Sequence, residues 1–233
     1  MKKLVLFLSC FVLVSCAELQ QVVNTLPQAG GVDPTMIANG LRQALDFGID
    51  KQVSKLTQKD GFYKNNLVKI LLPQELRKVD RTLRDIGLSS LADEGLKVLN
   101  RAAEDAVKEA TPIFVDAVRD ITFTDAKNIL LGPDNAATNY LEGRTNAALY
   151  SKFNPVINNS FQRVGADRIW NEIITKYNAI PFVNKVNPDL TDYVTNQALE
   201  GVYTMIAVEE KKIRNNIAAR TTNLLRQVFI LQD

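Results

Sequence analysis

The stretch Ser90-Leu-Ala-Asp-Glu-Gly-Leu-Lys-Val-Leu-Asn-Arg-Ala-Ala-Glu-Asp-Ala-Val-Lys-Glu-Ala-Thr-Pro-Ile-Phe-Val-Asp-Ala-Val-Arg-Asp-Ile121 decides the fold class. Apolar or small residues recur every three or four positions, at Leu91, Gly95, Leu99, Ala102, Ala106, Ala110, Ile113, Ala117 and Ile121. The charged residues Asp93, Lys97, Arg101, Glu104, Asp105, Lys108 and Asp116 fall between them. That period is helical; a strand would need strict alternation. Ser90, three positions before Asp93, is the expected N-cap. Pro112 is expected either to kink the segment or to open a second helix with Thr111 as its cap. The many small residues in the stripe predict a closely approaching neighbour helix.

The same periodicity places helices near 34–58, 74–86, 124–131, 135–153, 156–177, 189–214 and 217–230. Pro73, Gly87, Gly132-Pro133, Pro155, Pro181 and Pro188 punctuate them in loops or first turns. No convincing alternating strand interrupts the pattern. At 233 residues and 46% hydrophobic content the chain is long enough to bury one core. The expectation is an all-α fold, a single compact multi-helix bundle of about eight helices spanning 34–233. Trp170, among Ile169, Ile173, Ile174 and Tyr177, is expected in that core, and the apolar stretch 224–231 is expected to dock across the bundle.

Composition narrows the chemistry. There is no histidine, which excludes Ser-His-Asp and Cys-His catalysis and every His-ligated metal. Lysine and arginine number 28 against 26 acids, and the two surplus cations are Lys2 and Lys3. Without them the chain carries no net side-chain charge, so nucleic acid is not an expected partner. The basic face Arg77, Lys78, Arg81 and Arg84 is interleaved with Glu75, Asp80 and Asp85, as on a solvated helix.

The N-terminus reads as an export signal. Met1-Lys2-Lys3 precedes a mostly apolar run from Leu4 to Val14, too short to span a bilayer. Leu13-Val14-Ser15-Cys16 resembles the bacterial lipobox. That resemblance implies a signal peptide over 1–15 and lipidation of Cys16, which then heads the mature chain; an ordinary signal peptide with a coincidental cysteine is the competing reading. Cys10 leaves with the signal, so the mature chain holds no disulfide. Residues 16–33, with Pro27 and Gly30-Gly31, read as a tether. Ala17 rather than aspartate implies, under enteric-type sorting, the outer membrane, with the domain facing the periplasm. Two or three acyl chains hold a protein on a membrane where one does so only marginally.

Further stretches carry a family resemblance: Gly40-Leu-Arg-Gln-Ala44-Leu45, Asp60-Gly61-Phe62, Ile70-Leu-Leu-Pro73, Asn100-Arg-Ala-Ala-Glu104, Asp125-Ala126, Ile129-Leu-Leu-Gly132, Ala136-Ala-Thr138 with Tyr140-Leu141, and Glu209-Glu-Lys-Lys-Ile-Arg214 leading to Ala219-Arg-Thr221, Leu224-Leu225 and Val228-Phe229. In this order they resemble the bacterial lipoprotein family catalogued as domain of unknown function 4197. The resemblance implies an all-helical, exported domain and supplies no activity, cofactor or catalytic residue.

Two constellations are candidates for chemistry. Around the Gly132-Pro133 turn, Gly132 is expected to take the positive φ that ends one helix. Asp134 is expected to accept from backbone N–H groups two or three residues on. The functional alternative has Asp125, Asn135, Thr138 and Asn139 lining a polar pocket mouth, beside a helix N-terminus able to hold an anion. In the late helix Glu210 and Arg214 lie four apart, as do Glu209 and Ile213, so one acid is expected to point inward. The bland reading is a partly buried acid–arginine pair, joined by Arg220; the functional one is a carboxylate tuned for acid–base work. Phosphate loops, calcium loops and Ser-x-x-Lys are absent, and no cofactor or metal is expected.

The expectation for function is a membrane-anchored cell-envelope lipoprotein with a non-enzymatic binding or scaffolding domain. Its partner would be an envelope protein or an apolar ligand held between helices. The alternative is a carboxylate-dependent hydrolase or lyase acting on an envelope polymer, with Asp125 or Glu209 as its acid.

Overall fold

The computed structural model describes residues 34–164, 166–183, 185 and 190–229. Cys16, the signal segment and the tether lie outside the described residues. Nine α-helices run through the described chain: α1 (Pro34–Leu56), α2 (Gln74–Asp85), α3 (Ser89–Ala106), α4 (Ala110–Arg119), α5 (Phe123–Leu130), α6 (Ala136–Val164), α7 (Ala166–Asn178), α8 (Thr191–Asn215) and α9 (Asn223–Phe229). A single 3-10 turn, Val107–Glu109, joins α3 to α4, so those two count as one rod and the total as eight. There is no strand among the described residues, and the all-α bundle stands as expected.

The rod formed by α3 and α4 buries the stripe that its spacing announced. Gly95, Leu99, Ala102, Ala106, Ala110 and Ile121 are buried. Beyond Ala110 the buried edge runs through Phe114 and Val118, with Ile113 and Ala117 half-buried beside it. A Cβ on Gly95 would stand 2.8 Å from the Ile173 side chain and 3.3 Å from the Trp170 ring, so α7 does approach closely there. The expected caps differ. The cap of α3 is Leu88 and that of α4 is Glu109, and neither makes a side-chain cap bond. Gly87, at φ +83°, closes α2 in the left-handed conformation, and the Leu88 N–H returns to the Leu83 carbonyl. The chain is then already turned into α3 before Ser90 is reached.

The long helix α6 departs from expectation at Pro155, which lies inside it rather than between two helices. Leu141, Leu149, Phe153, Ile157 and Phe161 continue one buried stripe across the proline. Pro155 itself and Ser151, whose carbonyl loses its helical donor, are exposed, so water can replace the missing bond. Burial on both sides outweighs one lost hydrogen bond.

Helix α6 is the spine: α3 and α8 pack along it, and α1 lies against α4, α5, α8 and α9. Hydrogen bonds fix α6 and α8 as antiparallel, with Thr138 opposite Glu210, Thr145 opposite Tyr203, and Asn154 opposite Thr195. Trp170 is core, and α9 docks through Leu225, Val228 and Phe229. No described helix is long and apolar enough to cross a membrane.

Candidate functional site

The first constellation is taken apart by the fold. Asp125 belongs to a capping box at the start of α5: its carboxylate accepts from the Thr122 N–H (3.0 Å) and hydroxyl (2.7 Å), and its own N–H donates to Thr122 Oγ1 (3.1 Å). The Thr122 hydroxyl, and then its N–H, hold the Asp125 carboxyl below the usual carboxylate range. Gly132 does not have positive φ; Gly87 is the glycine that does among the described residues. Its lack of a side chain is needed for space, because a Cβ would lie 2.7 Å from Ala136 Cβ and 2.8 Å from the Asn128 carbonyl oxygen.

Asp134 does not cap α6. The Ala136 N–H goes to the Pro133 carbonyl, and Asp134 instead accepts from Asn215 at 3.3 Å. The cap comes from α8. Glu210 accepts from the Ala137 N–H (2.8 Å), the Thr138 N–H (2.9 Å) and the Thr138 hydroxyl (2.7 Å). A carboxylate at this position meets the orphan donors and the positive end of the helix together, which Asp134 would meet only singly.

The second constellation is the other half of this junction. Arg214 donates from Nε and Nη2 to Glu210 Oε1, at 3.0 and 2.8 Å, and reaches the carbonyls of Leu130 and Ile129 at 3.1 and 2.8 Å. It therefore closes the C-terminus of α5 while its partner closes the N-terminus of α6. Arg220 joins neither acid; it donates to the carbonyls of Ile213 and Arg214 at the end of α8, at 3.1 and 2.9 Å. The Phe229 ring lies under both guanidinium groups.

Both acids of the pair are buried, where one was expected. Glu209 accepts from Lys51 (2.5 Å) and Gln52 (2.8 Å), binding α8 to α1, while Val208 is left exposed. Asp125 and Glu209 thus have separate partners. A cavity of about 20 Å³ lies beside Glu209, Glu210 and Leu41, room for a single water.

A third cluster explains three of the stretches that carry the family resemblance, 60–62, 70–73 and 100–104. Asn100 clamps Ile70, receiving its N–H at 2.9 Å and donating to its carbonyl at 2.9 Å. Glu104 accepts the Phe62 N–H at 3.2 Å, and Arg101 bridges Glu104 and Asp60, both at 2.6 Å. Asp60 stands at φ 68°, and a Cβ on Gly61 would meet the Leu56 carbonyl oxygen at 2.4 Å. These residues pin the 57–73 loop to α3.

Open surface remains between α6 and α8, in a groove of about 310 Å³. From α6 and the residue before it, the groove takes Asn135, Thr138, Asn139, Glu142 and Asn146. From α8 it takes Asn196, Leu199, Glu200, Tyr203, Thr204 and Ala207. Asn135, Thr138 and Asn139 were expected at a polar mouth and are there; Asp125 is not. The α8 wall was missed, although Asn196, Glu200 and Thr204 recur every fourth residue opposite the apolar face. Burial pushes the Tyr203 phenol up to about 12; its hydroxyl bonds with Thr145 at 2.8 Å. Among the described residues no three acids or cysteines gather as metal ligands.

No curated protein and no solved structure matches the chain. The model of one family, described as protein of unknown function (DUF4197), matches residues 31–230, from before α1 to past α9, and the chain belongs to that family.

Proposed function

We propose that this chain is a lipid-anchored lipoprotein of the bacterial cell envelope whose helical domain acts by binding a partner rather than by catalysis. One observation carries the second half of that reading. Among the described residues each buried carboxylate, Glu104, Glu209 and Glu210, is engaged by structural donors, whereas the α6–α8 groove keeps polar groups open to solvent. General acid–base work needs a carboxyl poised near a substrate, and Asp125, the other acid considered, sits in a capping box. The cavity of about 20 Å³ beside Glu209 is too small for an acyl chain, and the reading takes the groove of about 310 Å³ between α6 and α8 as the binding surface. The anchor half rests on the lipobox-like Leu13-Val14-Ser15-Cys16 and the short apolar run before it.

Cell fractionation tests the anchor: Cys16→Ser is expected to leave the membrane fraction and to lose acyl labelling, and retention with normal processing would refute it. A photocrosslinking side chain tests the groove. Placed at Asn146 it is expected to trap a partner that the same group at Glu172, on α7, does not. Equal yields at both positions would remove the groove from consideration.

A further inference from the structure

We infer that the α6–α8 groove is a saccharide site, built for a hydroxyl-rich chain that bears no acidic groups. The inference rests on the binding reading above and gives its ligand a chemistry. Asn135 to Asn146 on one wall, and Asn196 to Ala207 on the other, each cover three helical turns, about 16 Å. The opening is therefore a trough suited to several linked units rather than a pit for one small molecule.

Its walls carry primary amides and carboxylates, and among the described residues no lysine or arginine lines it. Amides both donate and accept, as sugar hydroxyls do, while Glu142 and Glu200 only accept. Much of this capacity is unspent. Glu142 and Asn146 have no bonding partner among the described residues. Glu200 receives Gln197 on one carboxylate oxygen, at 2.9 Å, leaving the other free. Asn196 spends its amide on the Asp192 carbonyl at 3.0 Å and keeps its oxygen.

Two carboxylates without a cation repel phosphates and uronates. A peptide would need pockets for alternate side chains, and here the apolar lining residues Leu199 and Tyr203 are buried and Ala207 half-buried, so recognition falls to the hydrogen-bonding groups of the walls. Neutral and amine-bearing saccharides share this chemistry, and the ligand set below separates them.

The test is calorimetric titration of the full chain, purified in detergent, with four probes. They are a neutral N-acetylglucosamine tetramer, a cationic glucosamine tetramer, an anionic galacturonate tetramer and a Gly-Ser peptide of similar length. Saturable binding of the neutral or the cationic sugar is expected, with Kd in the millimolar range or tighter. Asn146→Arg and Glu142→Gln, both at exposed positions, are expected to weaken it about tenfold or more while thermal unfolding stays unchanged. Stronger binding of the neutral probe identifies an uncharged glycan, and of the cationic probe an amino sugar. Binding of the peptide or the uronate alone, binding of no sugar, or full sugar affinity in both variants overturns the inference. A partner trapped at Asn146 without sugar binding would overturn the saccharide assignment and leave the binding reading standing; no sugar binding together with no crosslink at Asn146 removes both.

Discussion

Along one pair of helices, α6 and α8, the protein treats polar side chains in two opposite ways. At the junction with α5, Glu210 and Arg214 are buried and each makes several bonds, to two helix ends and to each other. A few turns along, Glu142, Asn146, Asn196 and Glu200 are exposed and largely unbonded. Buried polar groups must be satisfied because desolvation is costly, so the junction's residues are committed to the fold. The groove's residues answer only to solvent and are free to serve something else.

The sharpest break in that comparison is at the junction. Arg214→Ala leaves Glu210 buried beside helix donors without its countercharge, and is expected to cost about 3–5 kcal/mol. Urea unfolding would show it as a lowered midpoint at unchanged slope. Replacing both members by apolar residues is expected to recover only part of the loss, because the Ala137 and Thr138 N–H groups then have no acceptor.

Gly61→Ala comes next. Its Cβ would sit 2.4 and 2.6 Å from the carbonyl oxygens of Leu56 and Lys55, backbone atoms that cannot swing aside, and a penalty of about 1–3 kcal/mol is expected in thermal melts.

Thr122→Ala removes the α5 cap and is expected to cost about 1 kcal/mol. It also carries a pH signature. The Asp125 carboxyl is held below its ordinary value in the folded state, so its contribution is present above the unfolded value, about 3.9. That contribution is lost as pH falls through the depressed folded value. In Thr122→Ala this acid-dependent component should shrink, which stability measured from about pH 5 downward will report.

At the groove, Asn146→Ala and Glu142→Gln are expected to change stability by less than about 0.5 kcal/mol. A loss there comparable to Arg214→Ala would mean that the groove, too, belongs to the scaffold.

Where sequence reading succeeded and where it failed follows the distance over which each feature is decided. The buried stripe of α3 and α4 is written in local periodicity and the docking of Val228 and Phe229 in a local apolar run, and so both could be read. Pro155 could not be read correctly because a local rule against interior proline was outweighed by Phe153 and Ile157 packing on either side. Asp134 was expected to cap α6 because it is the nearest acid, yet the cap is Glu210, 72 positions from Thr138. Half of the groove was visible in Asn135, Thr138 and Asn139; the other wall became a neighbour only once α8 had folded back antiparallel. Sequence spacing announces a face and leaves open which face it will meet.

The seating of α9 on α1 bears on the order of assembly. A Cβ on Gly40 would collide with Val228 Cγ2 at 2.4 Å, so the Val228 side chain sits directly on the α1 backbone. The Thr222 hydroxyl reaches Gln43, 179 positions away. Helix α1 is the first described helix to emerge in synthesis; α4 and α5 cover part of its apolar face, and α8 and α9 complete the cover. Contacts of such long sequence separation close late. Until those last helices are made, the early part of this domain keeps an unfinished surface, one that a holding chaperone could grasp and that α8 and α9 complete.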